Sequence, residues 1–227
     1  ANGENAKPIF VVPVVINYQF TLEAPALITE HLKRTGQERY YKESDEFSTS
    51  KKIASFLVKF FTKGSDMSVT IGRGMDILGN YVDDEGRSLD AKGNFINVQD
   101  YFISNGKVTE DVQREQTYVL LLSKRIVEEY YKNNRVYASH LIAYTAFKML
   151  ERNNPKLDLY EVLRLSDEDL ALDYEVFKEN FKKLRRQILK MKKKGKLGVN
   201  PKLEEKSDAA IEYGLANVGM YHAKRPL

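Results

Sequence analysis

Cysteine does not occur in the 227 residues of this chain. That excludes disulfide staples, thiol nucleophiles and cysteine-ligated zinc, and it fits a cytosolic setting. Histidine is scarce: His31, His140 and His222 stand far apart. Long hydrophobic runs are missing too. The longest covers residues 9–16, is interrupted by Pro13 and is too short to cross a bilayer. It also lacks the charged leader and small-residue cleavage site of a secretory signal. Any membrane contact is therefore expected to be peripheral. Neither sign of charge dominates, since 36 basic and 32 acidic residues leave a net charge of +4. That balance does not by itself point to nucleic acid.

What is present reads as globular, because 42% hydrophobic and 30% charged residues exclude a disordered chain. The length allows one or two domains with a substantial core. Residues 9–16 are β-branched and apolar, as expected of a central strand covered on both faces. Pro13 implies a bulge, a strand end or a sheet edge there. Residues 17–23 continue extended. A short helix is expected over 25–35 with Gly36 as its stop. A second is expected over 51–62, with Ile53, Phe56, Leu57, Phe60 and Phe61 on one stripe. Met67, Val69 and Ile71 alternate with Ser68, Thr70 and Gly72, the pattern of a half-buried strand over 66–73. Residues 79–107 read as an ordered loop insertion with small hairpins, and no internal repeat is read in them.

Near Val108 the pattern becomes helical. Helices are expected over 109–133, 136–153, 158–165, 173–194 and 206–217, with Pro155 ending the second. Core positions are expected at Val112, Tyr118, Val119, Leu122, Ile126, Val127 and Tyr130. Leu141, Ala143, Ala146, Phe147 and Leu150 are expected to pack in the next helix. The fold class is therefore expected to be α/β followed by an α-helical region. The division falls between 103 and 111, into domains 1–107 and 108–227.

Val12-Pro13-Val14 followed by Tyr18 and Glu23 resembles the fourth sequence block of the glycerol-3-phosphate and lysophosphatidate acyltransferase family. Ser68-Val-Thr-Ile-Gly72-Arg-Gly74 is similar to a later strand of that family, whose Gly-x-Pro end returns to the active-site edge; Gly74 stands in place of the usual Pro. Residues 126–165 resemble the helical region that follows the catalytic domain. The acidic, glycine-rich stretch over 79–90 looks like a bacterial branch. The resemblance implies the last strands of a glycerolipid acyltransferase-like α/β domain. It implies transfer of a fatty acyl group from acyl-CoA or acyl carrier protein to glycerol 3-phosphate or its mono-acylated product, without a metal or bound cofactor. Pro13 would shape the strand turn, Tyr18 and Glu23 would line the pocket edge, and Arg73 would contact phosphate.

The family's base is a His followed five positions later by Asp, which takes the hydroxyl proton while the thioester is attacked. Here Gly36 follows His31 at that spacing, Thr145 follows His140 and Leu227 follows His222. The phosphate-binding Phe-Pro-Glu-Gly-like block is absent as well. No catalytic residue is therefore expected in this segment, which reads as a piece of a longer chain, and His140 reads as a packed histidine. A calcium loop counted from Asp83 needs Gly at its sixth position and Glu at its twelfth. Ser88 and Asn94 stand there, which favours solvated turns.

Nine of the fifteen residues from Lys182 to Lys196 are basic. The bland reading is a solvated helix face. The functional one is an anionic membrane surface met by Lys182, Lys183, Arg185, Arg186, Lys190, Lys192, Lys193 and Lys194, at the cytoplasmic face. The stripe around Phe56 and Phe60, flanked by Lys51, Lys52, Lys59 and Lys63, reads either as core or as a bilayer contact. A non-enzymatic helical scaffold or peripheral membrane adaptor is the alternative class. A nucleic-acid module ranks third, because the basic helix has no interleaved aromatics.

Overall fold

Proline in a strand leaves one ladder position without a donor, and Pro13 interrupts the first strand in this way. Val11 forms an isolated bridge to Met75, and regular pairing begins only at Val14. The computed structural model describes residues 7–19, 24–36, 58, 66–162, 164–166 and 168–218. Its elements are β1 (Val14–Tyr18), α1 (Ala24–Arg34), β2 (Met67–Ile71), a 3-10 turn (Val98–Phe102), β3 (Ile103–Ser104) and β4 (Lys107–Val108). There follow α2 (Val112–Asn133), β5 (Arg135–Val136), α3 (Ala138–Asn153), α4 (Leu159–Val162), α5 (Tyr174–Lys193), β6 (Gly198–Val199), a second 3-10 turn (Pro201–Leu203) and α6 (Ser207–Asn217). The class is mixed α/β, with about 50% helix, about 15% strand and no closed barrel among the described residues. Among the described residues strands pair only in twos, as β1–β2, β3–β4 and β5–β6. The helix expected over 51–62, with Phe56 and Phe60, lies outside the described residues.

Contacts group the chain into two compact units that are not sequential: 1–16 with 69–134, and 17–68 with 135–227. The expected division at 103–111 falls inside the first unit. It marks a change of secondary structure rather than a break in packing.

In the first unit, residues 76–96 form a ladder of three turns with a seven-residue repeat, which the sequence reading passed over. Asp76, Asp83 and Asp90 each stand three residues before a glycine. Those glycines, Gly79, Gly86 and Gly93, have φ of 85°, 79° and 86°, the left-handed backbone that favours glycine. Each aspartate Oδ1 accepts two backbone N–H groups: Leu78 and Asn80, Glu85 and Arg87, Lys92 and Asn94. Each Oδ2 takes the side chain four residues on, from Asn80, Arg87 or Asn94. Bridges Met75–Tyr81, Val82–Ser88 and Leu89–Phe95 join one turn to the next. The carboxylate oxygens are thus occupied by the chain's own donors. For Asp83 burial is the largest single influence and acts upward, but the Arg87 hydrogen bonds, the Arg87 charge and the Glu85 N–H together outweigh it and hold the carboxyl below its usual range. Asp90 is lowered chiefly by the Asn94 side chain.

On α2 the sequence expectation is half met. Asp111 caps the helix through Arg114 N–H at 3.0 Å. Tyr118, Leu122 and Ile126 are half-buried, and Glu129 is the one buried residue of the helix. Val112, Val119, Val127 and Tyr130 are exposed instead. The strands also turn the unexpected way: Val14, Ile16 and Tyr18 of β1 and Met67, Val69 and Ile71 of β2 are exposed. In a two-stranded sheet, alternation decides which residues share a face but not which face is covered.

The second unit holds the hydrophobic core. Ala138, Leu141, Ile142, Ala146 and Met149 of α3 meet Phe177 and Phe181 of α5, Val199, Leu203, and Ala210 and Ile211 of α6. Ala143 and Phe147, expected inside, face out; the buried stripe of α3 is rotated toward Ile142, Thr145 and Met149. Asp173 caps α5 through Val176 N–H at 2.9 Å. Parallel pairing of Arg135 with Gly198 and Val136 with Val199 closes the group. Gly214 allows α6 to lie against α3: a Cβ there would stand 2.6 Å from Ile142 Cγ1 and 3.1 Å from the Ala138 carbonyl.

Gly214→Ala is expected to cost about 1–3 kcal/mol by overpacking. Gly93→Ala, where a Cβ meets nothing within 4 Å, is expected to cost only the left-handed backbone, about 1 kcal/mol. Urea denaturation midpoints check the order; equal losses contradict the close approach of α3 and α6.

Candidate functional site

Two of the four expected substrate-site residues, Pro13 and Arg73, come together in the first unit. Pro13 is buried, and its carbonyl accepts the Gly72 N–H at 2.8 Å. A Cβ on Gly72 would stand 2.8 Å from Pro13 Cγ and from Asn133 Nδ2, so only glycine allows this approach. Arg73 follows at once. Its guanidinium lies 4.4 Å from the centre of the Tyr81 ring. With Gly74, Val82, Asp83 and Asp84 it lines an open cleft of about 410 Å³. Tyr18 belongs to the second unit, and Glu23 lies outside the described residues.

The group that sequence reasoning missed is centred on Tyr81. Its hydroxyl donates to Glu129 Oε1 at 2.6 Å. Lys132 Nζ donates to the same carboxylate oxygen at 2.5 Å and to the Tyr81 oxygen at 2.9 Å. Asn133 Nδ2 donates to the Glu129 carbonyl at 2.8 Å and to Oε2 at 3.4 Å. Lys132 Nζ and the Arg125 guanidinium lie 5.6 and 5.8 Å from the Tyr81 ring centre. A signal did exist in the sequence. Tyr118, Leu122, Ile126 and Glu129 fall on one helical stripe, so a carboxylate occupies a position where an apolar residue belongs.

Burial alone would raise the Glu129 pKa. Hydrogen bonds from Lys132 and Tyr81, the Lys132 charge and the Asn133 amide outweigh it and hold the carboxyl below its usual value. The charges around the ring then balance unevenly. Glu129 pairs with Lys132, Glu128 pairs with Arg125 at 2.9 Å, and Asp83 pairs with Arg87 at 2.8 Å. Arg73 makes no ion pair among the described residues, so it is the cation available to an anion at the cleft. Asp84 is the opposing charge on the rim.

In the second unit residues 135–140, leading into and opening α3, grip residues 17–19 at the end of β1. Arg135 N–H donates to Asn17 Oδ1 at 2.9 Å. The Tyr137 hydroxyl reaches the Asn17 carbonyl at 3.5 Å. His140 Nε2 lies 2.7 Å from the Tyr18 carbonyl, and Ser139 Oγ donates to the Gln19 carbonyl. His140 Nδ1 accepts the Tyr137 N–H at 3.4 Å. Both ring nitrogens are therefore engaged, which leaves neither as a base. Desolvation lowers the His140 pKa, and the Tyr18 carbonyl opposes it. Nearby, the Tyr213 hydroxyl donates to Asp66 Oδ2 at 2.5 Å. Burial and that bond push its pKa up to about 12.

The eight basic residues expected at an anionic surface divide into two sets. Lys182, Arg185 and Lys192 are half-buried and engaged. Lys182 pairs with Asp208 at 3.6 Å and Lys192 with Glu204 at 2.5 Å. Arg185 donates to the Leu203 carbonyl at 2.7 Å, to Ser207 Oγ at 3.3 Å and to the Glu205 carbonyl. Lys183, Arg186, Lys190, Lys193 and Lys194 are exposed. Among the described residues no group of three His, Asp or Glu is placed to hold a metal ion, and no helix is long and apolar enough to cross a membrane.

Comparison of the chain with protein-family models, with curated proteins and with solved structures gives no match in any of the three.

Glu129→Gln is expected to lower stability by about 2 kcal/mol through the lost charged hydrogen bonds. Because the folded pKa lies below the unfolded one, this contribution is complete above about pH 4.3 and disappears as pH falls through the folded value. Denaturation midpoints measured from pH 7 to pH 3 are expected to converge for the two proteins at the acid end. A constant gap at every pH contradicts the ionised Glu129.

Proposed function

We propose that this chain is part of a glycerolipid acyltransferase acting at the cytoplasmic face of a membrane. It transfers a fatty acyl group from acyl-CoA or acyl carrier protein to glycerol 3-phosphate or lysophosphatidate in phospholipid biosynthesis. The chain contributes the last strands of the α/β domain and the helical region after it. As the family resemblance implies, a His-x-x-x-x-Asp pair in preceding sequence takes the hydroxyl proton. The oxygen attacks the thioester carbonyl, the carbon–sulfur bond breaks, and the thiol leaves with that proton. No metal or bound cofactor is required by this chemistry.

The Gly72–Pro13 hydrogen bond carries the reading. The two segments whose residues resemble the family, Val12-Pro13-Val14 and Ser68–Gly74, lie far apart in sequence and meet at this bond. Arg73, beside the cleft and with no ion pair among the described residues, supports the reading of a phosphate contact. Pro13 supports this wall and does no chemistry. Tyr18 and Glu23 remain pocket-edge residues in this proposal. A scaffold or membrane adaptor without catalysis is the competing reading, favoured by the exposed cations of α5.

The gene sequence preceding Ala1 is expected to encode a His-x-x-x-x-Asp motif in frame; an in-frame stop codon just upstream contradicts the enzyme. In the whole gene product, assayed with glycerol 3-phosphate and acyl-CoA, Arg73→Ala is expected to raise KM for glycerol 3-phosphate about tenfold to a hundredfold, the loss of one charged hydrogen bond. An unchanged KM removes Arg73 from the site.

A further inference from the structure

We infer that α5 divides its cations by task, and that Lys183, Arg186, Lys190, Lys193 and Lys194 alone form a contact row for an anionic lipid surface. This rests on the lipid-enzyme reading above and deepens it, by naming the membrane-facing residues and excluding three neighbours of equal charge.

The row follows from helix geometry. Lys183, Arg186, Lys190 and Lys193 are spaced three, four and three residues apart, which keeps them on one side of the helix. Lys194 extends the row at the C-cap. At 1.5 Å per residue the row is roughly 15 Å long. The core lies on the other side, where Phe177 and Phe181 are buried and Leu184 and Ile188 pack against them. Lys182, Arg185 and Lys192 flank that buried side, and their charges are spent on Asp208, on Glu204 and on the carbonyls before α6. Among the described residues the five outward cations form no ion pair, and all five are exposed. Glu179, one turn before Lys183, is the carboxylate on that face, at the far end of the row.

A linear row of cations with no competing carboxylate along its length complements a layer of anionic headgroups. Attraction of this kind adds with each basic residue near the surface. Stacking platforms for nucleic-acid bases need exposed aromatics between the cations, and residues 182–196 contain none. Three bonds from Arg185 to residues 203–207 keep the helix face fixed, while the outward cations make no ion pair among the described residues; Arg186 Nε donates only to the Lys182 carbonyl of its own helix, at 3.4 Å.

The experiment is flotation of the chain with phosphatidylglycerol–phosphatidylcholine vesicles and with phosphatidylcholine vesicles alone, across salt. Binding is expected only with the anionic vesicles at low salt, and it is expected to vanish toward 1 M salt as the screening length falls to about 3 Å. Lys183→Gln, Lys190→Gln and Lys194→Gln combined should weaken binding roughly a hundredfold, about fivefold per charge, with an unchanged circular dichroism spectrum. Lys182→Gln with Lys192→Gln should keep most of the vesicle affinity and lower the melting temperature. The inference is overturned by no binding to anionic vesicles at low salt, by equal weakening from both sets of variants, by binding indifferent to lipid charge, or by displacement with single-stranded DNA at lower charge concentration than the lipid. Vesicle binding without a His-x-x-x-x-Asp motif upstream refutes the enzyme and leaves the row intact. A working acyltransferase whose vesicle binding ignores the triple substitution does the reverse.

Discussion

Three consecutive carbonyls hold the second unit to its first segment. Asn17 and Tyr18 end β1 and Gln19 follows it, and their carbonyls face Tyr137, His140 and Ser139 at the start of α3. A carbonyl at a strand end must find a donor, and side chains from the first turn of a distant helix supply it here. The imidazole is central, because it accepts from Tyr137 N–H on one side and donates to Tyr18 on the other. It does both only while neutral. α3 in turn carries Ala138, Leu141, Ile142, Ala146 and Met149 into the core, so this grip fixes where the core begins relative to residues 17–19 of the same unit.

In both units the partly buried charged groups named above are committed to partners within the unit. Glu129 is stabilised by three donors at one carboxylate, and the aspartates of the turn ladder by backbone N–H groups. Arg185 spends its guanidinium on carbonyls. Arg73 and the outer row of α5 are exposed cations that form no ion pair among the described residues. Under the proposal these remaining charges meet what an acyltransferase of glycerolipids must recognise, a phosphate and an anionic surface. The His140 ring takes no part in that chemistry, since both nitrogens are occupied.

Much of the architecture was legible because periodicity and caps are local. Gly36, at φ 69°, ends α1 where residue type alone placed it, and α5 opens beside Asp173, where the periodic pattern began. Facing was less legible. Alternation in Met67, Val69 and Ile71 names a shared face but not its cover, and the apolar side turned out exposed. The stripe of α3 was misplaced for a related reason: Ala143 and Phe147 are apolar, but Thr145 sits inside with Ile142 and Met149. The Asp-x-x-Gly repeat was present at 76, 83 and 90 and went unread, because turn residues look alike until their spacing is measured. Glu129 and Arg185 gain their importance from partners distant in sequence, which no single-sequence pattern carries.

The central claim is that neutral His140 joins the last residue of β1, Tyr18, to α3, and nitrogen NMR of its ring tests this most directly. Long-range proton–nitrogen spectra across pH should show the Nε2–H tautomer, with Nδ1 as acceptor, and a titration midpoint below the ordinary imidazole value of about 6.5. An Nδ1–H tautomer, or a midpoint at or above that value, would contradict the account.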